Sequence, residues 1–235
     1  MKIPFLTVVA LAGSLQLVSA ADITGKVILK GTPPPEIKID PLMADPNCGK
    51  LHTGPVTTRH YLVRQDGGLA NVFVYIKSGL EGKTFPAPAE TPVIDQVGCL
   101  YEPYVSGVMV NQKFKIKNTD GFLHNVHAIP KLNKEFNFAQ PVKDQVNEKS
   151  FDKAEVMVQF KCDVHPWMFA YACVVDHPFF AITDKDGKYT IKGVPDGKYT
   201  MEVYHRKAAP ANSPMTAEVE VKGGNVAKDF TLEAK

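Results

Sequence analysis

The chain has 235 residues, in which 27 Lys and Arg stand against 25 Asp and Glu. The charges form neither a basic stripe nor a block of one sign, so we expect no nucleic-acid partner. Residues 1–20 carry a basic residue, Lys2, at their start, continue with an apolar run and end in V-S-A, a pattern typical of a secretory signal peptide. The apolar run is too short and too interrupted for a good membrane span. We therefore expect a periplasmic or secreted protein without stable membrane insertion.

Short alternating segments, broken by Gly, Pro, Asn and Asp, follow one another along the rest of the chain. Apolar residues alternate with polar ones around 113–117, 155–161 and 199–204. This period of two is typical of strands with one buried face. The dipeptides at 186–187 and 196–197, both Asp-Gly, favour tight turns between strands. The sequence therefore predicts an all-β protein built from sandwiches or barrels.

The mature chain divides into three parts by composition. Residues 21–92 form an N-terminal β segment that ends in a Pro-rich connector, G-L-E-G-K-T-F-P-A-P-A-E-T-P. Residues 93–177 contain the candidate site. Residues 178–235 are a compact run of hairpins with the turn signals named above.

A thiol, an imidazole and a thioether follow one another at intervals of three in C-D-V-H-P-W-M, residues 162–168. Cys162 continues the apolar alternation that begins at Val156, which places it inward at the end of a strand. His165 and Met168 follow in a short loop that can aim their side chains at the same point. A thioether is a poor zinc ligand but suits copper, and two His, one Cys and a long axial Met describe a type 1, blue-copper site.

A second histidine is needed upstream, and the stretch N-T-D-G-F-L-H-N-V-H-A-I, residues 118–129, offers two. Their spacing is odd, so His124 and His127 point to opposite faces of an extended strand. His124 shares its face with Phe122 and Val126, which are apolar. We therefore favour His124 as the ligand.

These two stretches together resemble the cupredoxins. L-H-N-V-H, followed some forty residues later by C-D-V-H-P-W-M, is similar to the ligand segments of amicyanins, and K-N-T-D-G-F-L-H-N is similar to the strand before the first ligand in plastocyanins. The resemblance covers roughly residues 100–176. It implies a Greek-key β-sandwich with one type 1 copper held by His124, Cys162, His165 and Met168.

The same resemblance assigns roles to residues around the ligands. Asn125 would brace the ligand loop by hydrogen bonds. His165 would reach the surface and conduct the electron. Pro166 and Trp167 would then form an apolar docking patch, although Trp167 could equally be a lid packed over the site.

The flanking segments resemble a different family, the carboxypeptidase regulatory-like, or transthyretin-like, β-sandwiches. The resemblance rests on I-T-G-K-V near the start, on G-L-A-N-V-F-V-Y-I at 68–76, and on A-I-T-D-K-D-G-K-Y-T-I-K-G-V-P-D-G-K-Y-T-M-E-V at 181–203. It implies a second small sandwich built from the N- and C-terminal segments, with the copper domain inserted between them.

Four cysteines allow a disulfide in an exported protein. If a metal holds Cys162, three cysteines remain, which gives three possible pairings and one thiol left over. Cys48 and Cys99 lie in loop-like surroundings, so we favour that pair. Cys173 lies in an apolar run, as a buried core thiol does.

The function that these patterns favour is an exported, single-copper electron-transfer protein with a redox donor and a redox acceptor. Four protein ligands leave no obvious position for a substrate, so we do not expect an enzyme. One alternative is a non-redox protein that binds or handles copper with the same ligands. The other is a β-sandwich binding module in which the copper site is secondary.

Overall fold

The computed structural model describes residues 20–208 and 215–235, and regular structure within them is almost entirely β. The expected signal peptide lies outside the described residues except for Ala20, the first residue of the first strand. In this part of the chain, no helix combines the length and the apolar character needed to cross a membrane.

Seventeen strands follow one another in the described residues, with two short helical segments between the first two. The strands are β1 (Ala20–Lys30), β2 (Phe73–Ser78), β3 (Val93–Val97), β4 (Leu100–Glu102), β5 (Val105–Met109), β6 (Phe114–Asn118), β7 (His124–Ile129), β8 (Phe136–Gln140), β9 (Gln145–Lys149), β10 (Glu155–Lys161), β11 (Phe169–Val175), β12 (Phe180–Ile182), β13 (Lys188–Pro195), β14 (Gly197–Tyr204), β15 (Met215–Val221), β16 (Val226–Ala227) and β17 (Phe230–Glu233). The helical segments are α1 (Asp40–Ala44) and a 3₁₀ turn, Gly49–Leu51.

The strands β3 to β11 form two sheets that we call the central sandwich. One sheet has the order β5-β11-β10-β7-β8 and the other β4-β3-β6-β9. Alternate residues of these strands point inward, as in β6, where Phe114 and Ile116 are fully buried. Because side chains of both sheets meet in one apolar cluster, the core lies between the sheets.

The terminal segments build a second pair of sheets, the flanking sandwich. In one sheet β1 lies between β13 and β16 and also pairs with β17, and the other has the order β12-β2-β14-β15. Ile23 of β1 and Met201 of β14 are fully buried in its core. The chain thus forms an all-β fold of two sandwiches, with the central one inserted between the two halves of the other.

A third, smaller apolar cluster joins the two sandwiches. It contains Phe73 of the flanking sandwich together with Val105, Tyr171 and Cys173 of the central one. Cys173 has no disulfide partner and is buried there. The thiol expected in a core therefore packs between the sandwiches.

The inward alternation of β10 begins later than the sequence predicts. The pairing of β10 with β11 shifts register between Glu155 and Val158, and Met157 at the bulge has a φ of 62°. Val156 therefore packs against the cluster that joins the sandwiches, whereas Val158 and Phe160 lie in the central core. The expectation that Val156 shares the face of Cys162 is wrong.

Candidate metal centre

Two neighbouring strands of the central sandwich bring the predicted ligands to the same end of the core. β7 begins at His124, and β10 runs antiparallel to it with Lys161 opposite His127. Cys162 follows directly, and residues 162–168 form the loop between β10 and β11, which we call the ligand loop. The Cys162 N–H donates to the Met168 carbonyl at 3.1 Å, which closes this loop at its base.

Three of the four predicted ligands meet in a buried group. The Nδ1 atoms of His124 and His165 are 3.0 Å apart, and the His165 Nδ1 lies 3.7 Å from the Cys162 Sγ. The potential ligand atoms of all three residues lie within 4.8 Å of one another. His124 is fully buried, and Cys162 and His165 are 1% and 6% exposed.

The fourth predicted ligand, Met168, is fully buried in the same core as Cys162. Its N–H donates to the His165 carbonyl at 2.9 Å, so a tight turn inside the ligand loop positions its backbone. The loop thus carries a thiol, an imidazole and a thioether that all lie inside the sandwich.

The Cys162 sulfur is surrounded by hydrogen-bond donors. The backbone N–H groups of Asn125 and His165 point at it, with N–S distances of 3.3 and 3.4 Å. Burial opposes ionisation of the thiol, but hydrogen bonds from the two histidines and these N–H groups outweigh it and lower the pKa of Cys162 to about 6. A thiolate, the form that binds metals, is therefore favoured at neutral pH.

A buried carboxylate orients His124 from the opposite side of its ring. The Asp120 Oδ2 lies 2.8 Å from the His124 Nε2 and also accepts the Cys99 N–H, while its Oδ1 accepts the Gly98 N–H. Because a carboxylate only accepts, the His124 Nε2 carries a proton, and Nδ1 is the ring nitrogen that faces the other predicted ligands. Burial opposes protonation of the ring, yet the hydrogen bonds to Asp120 and Cys162 and the charges of these two residues together outweigh it and raise the pKa of His124.

Asn125 connects β7 to the ligand loop. Its Oδ1 accepts the Asp163 N–H at 3.1 Å, and its Nδ2 donates to the Asn137 Oδ1 at 2.7 Å and to the Phe138 carbonyl at 3.2 Å. The side chain therefore ties the loop to β7 and β8, which is the bracing role that the resemblance implies.

His127 lies on the outer face of β7, away from the candidate centre. Its two ring nitrogens face the carboxylates of Asp163, at 3.0 Å, and Glu135, at 2.7 Å. These carboxylates lie on opposite sides of the ring, so the three residues do not converge on one point.

The expected exposure of His165 is wrong. Its side chain is nearly buried, with the rings of Phe122 and Trp167 and a segment of the N-terminal part of the chain against it. The segment carries Cys48, which forms a disulfide with Cys99, the pairing that the sequence favours. A ring nitrogen of His165 and the two sulfurs of this bond lie within 4.8 Å of one another.

The donor set fits copper. A thiol with a lowered pKa and two imidazole nitrogens converge, and the soft thioether of Met168 lies in the same core. Thiolate and thioether sulfur suit Cu(I), and imidazole suits both oxidation states. The structure brings His124, Cys162 and His165 together and buries Met168 in the same core.

Two features of the centre were missed by sequence reasoning. Asp120 stands among Asn, Thr and Gly, so its context indicates only a turn. The segment that covers His165 is more than a hundred residues away along the chain. No local pattern could have found that contact.

No family model and no curated protein matches this sequence. Among solved structures, an oxidized Pro-to-Gly variant of amicyanin is 20% identical over 43% of this chain and 97% of amicyanin, with a TM-score of 0.33. A purple cupredoxin from Nitrosopumilus maritimus is 23% identical over 35% of this chain and 98% of its own, with a TM-score of 0.30.

A copper-containing nitrite reductase from Thermus scotoductus is 20% identical over 40% of this chain, with a TM-score of 0.32. Only 24% of that enzyme is covered. The solved structures that are similar to part of this chain thus include cupredoxins, and each of these matches spans less than half of the chain.

Proposed function

We propose that this chain is an exported electron-transfer protein that binds one type 1 copper through His124, Cys162, His165 and Met168. The observation that carries the proposal is the convergence of two imidazole nitrogens and one thiol inside a closed β-sandwich. Bound copper would supply a one-electron couple between Cu(II) and Cu(I).

The chain's own contribution is to hold the donors still and to exclude water. Asp120 fixes the ring of His124, and Asn125 ties the ligand loop to β7. Rigid donors change little when the metal changes its charge, which favours fast electron transfer. A copper with four protein donors has no obvious open position for a substrate, which supports a carrier rather than an enzyme.

The visible absorption spectrum of the mature protein after addition of Cu(II), and then of ascorbate, tests this proposal. We expect an intense thiolate-to-copper band that bleaches on reduction and returns on oxidation. Cys162→Ser should abolish the band, whereas Cys173→Ala, which removes the other free thiol, should keep it.

Two results would contradict the proposal. Copper stoichiometry near zero would mean that the three side chains meet for packing reasons. Copper that binds without the band, is lost to a mild chelator and shows no reversible potential would instead indicate a copper-handling protein.

A further inference from the structure

Residues 38–57 form a segment that we call the cap. Its base is closed by a bridge between Lys38 and Thr57, where the Ile39 N–H donates to the Val56 carbonyl at 2.8 Å. The structure describes the whole cap, and within it only Leu42 and Cys48 are buried. Both belong to the core of the central sandwich.

The disulfide pins the cap next to the ligand loop. Cys99, its partner, lies in the turn between β3 and β4, and the neighbouring Gly98 carbonyl lies 2.8 Å from the His52 Nε2 of the cap. A second link runs from the ligand loop, since the Trp167 indole N–H donates to the Cys99 carbonyl at 3.2 Å. The cap, the disulfide and the ligand loop are therefore connected, and both disulfide sulfurs lie within 4.8 Å of a His165 ring nitrogen.

Trp167 is partly exposed and lies directly beside the covered histidine. The centroids of its ring and the His165 ring are 5.2 Å apart. Its neighbours Val164 and Pro166 are exposed, and Val164 has 47% of its surface accessible. The partly exposed indole of Trp167 thus lies next to His165, a candidate ligand whose own imidazole is nearly buried.

A second aromatic ring, that of Phe122, also touches the ligands. Its centroid lies 5.1 Å from that of His124 and 6.3 Å from that of His165, so the Phe122 ring is farther from His165 than the Trp167 ring is. Indole is more electron-rich than phenyl and is therefore the better mediator of electronic coupling. Phe122 provides a matched comparison for Trp167.

We propose that electrons reach the bound metal through the Trp167 ring, because the disulfide-pinned cap closes the route over the His165 edge. This inference rests on the proposed function. A one-electron donor outside the protein is oxidised by one electron, and the copper goes from Cu(II) to Cu(I). No bond forms or breaks, and the indole is neither oxidised nor reduced.

The exposure of Trp167 can be measured without copper. It is the single tryptophan of the chain, so its fluorescence reports on this position alone. We expect acrylamide to quench the fluorescence of the metal-free protein. Complete shielding from acrylamide would overturn the inference, because a buried indole cannot contact a donor.

The electron route is tested by stopped-flow reduction of the Cu(II) protein with hexaammineruthenium(II). We expect Trp167→Leu to slow the reaction about tenfold, or about 1.4 kcal/mol in activation free energy. Trp167→Phe, which keeps an aromatic ring but loses the indole N–H, should be intermediate. Phe122→Leu should react at nearly the wild-type rate.

Release of the cap provides the decisive comparison. In a Cys48→Ser/Cys99→Ser background the His165 edge becomes accessible, so Trp167→Leu should no longer slow the reaction. Faster tryptic cleavage after Lys50, an exposed residue of the cap, verifies the release in the metal-free protein.

Failure of the inference and failure of the proposed function give different results. If Trp167→Leu keeps the absorption band and the potential and reacts at the wild-type rate, the inference is overturned and the proposed function stands. If the wild-type protein has no thiolate-to-copper band, the proposed function fails and the inference fails with it.

Discussion

The two carboxylate oxygens of Asp120 accept hydrogen bonds from three groups: the His124 ring and the backbone N–H groups of Gly98 and Cys99. The position of the His124 ring therefore depends on Asp120. Its carboxylate joins the first candidate ligand to the turn that holds Cys99. Burial opposes its ionisation, but the bonds to His124 and to the two N–H groups outweigh it and lower the pKa of Asp120. The ring and the turn therefore depend on one buried negative charge.

We predict that Asp120→Asn weakens copper binding by about 10- to 100-fold, since loss of a carboxylate that orients a ligating histidine has effects of this size. Competition with a chelator of known affinity measures the change. Asp144→Asn is the matched control, because Asp144 is an exposed carboxylate that pairs with Lys117. Equal affinities for Asp120→Asn and the wild type would refute the role of Asp120.

We predict that the Cys162 thiol of the metal-free protein titrates near pH 6. Its pKa falls from 9.0 to about 6 on folding, so the stability that the thiolate contributes is complete above pH 9 and is lost as the pH falls through 6. Thiolate ultraviolet absorbance against pH measures the midpoint.

Two comparisons assign that titration step. Cys162→Ser should lack it. Burial raises the pKa of Cys173 to about 12, so this thiol stays protonated at neutral pH and does not contribute. A midpoint near 9 would contradict the hydrogen-bonded thiolate.

One covalent link, the disulfide between Cys48 and Cys99, joins the cap to the central sandwich. This disulfide closes a loop of 51 residues in sequence, and apart from Cys48 the one fully buried residue of the cap is Leu42, with Ile39, Met43 and Val56 partly buried against the same core. Burial of one leucine contributes about 1.5–3 kcal/mol, which is comparable to the conformational entropy of ordering a few residues.

We predict that Cys48→Ser/Cys99→Ser lowers the free energy of unfolding by about 2–4 kcal/mol, since the disulfide restricts the unfolded chain. Urea unfolding of the metal-free protein measures it. Leu51→Ala changes an exposed cap residue and should stay within about 0.5 kcal/mol of the wild type. A loss below 0.5 kcal/mol in the double variant would show that the cap is held by other contacts.

At the scale of the whole molecule, the two sandwiches meet through a small aromatic cluster. Phe180 of β12 packs on Phe73 with ring centroids 5.6 Å apart, and Gly107 of β5 leaves the room for its ring. A Cβ on Gly107 would lie 2.3 Å from the Phe180 Cε2, well inside van der Waals contact. The absence of a side chain there allows β5 and β12 to approach.

We predict that Gly107→Ala costs about 1–3 kcal/mol, the usual cost of overpacking. Phe180→Leu in the same chain should recover part of this loss by making room for the methyl group. The metal centre lies in a different core, so the copper absorption band should not change in either variant. Calorimetric unfolding measures the stability, and equal transitions for Gly107→Ala and the wild type would refute the tight contact.

The amino-acid sequence by itself determined what local spacing can determine. Alternation with a period of two indicated strands and their inward faces, because successive side chains of a strand point to opposite sides. The odd spacing of His124 and His127 separated an inward from an outward histidine. The intervals in the ligand loop brought Cys162, His165 and Met168 together as candidates, because a short loop after a strand keeps its residues close.

Only the tertiary structure decided the contacts that join distant parts of the chain. It paired Cys48 with Cys99, gave Asp120 its bond to His124, and placed the cap over His165. It also moved Val156 out of the central core through the bulge at Met157. Such contacts depend on the packing of one element against another, and no spacing along the chain encodes which surface a loop of the N-terminal segment will cover.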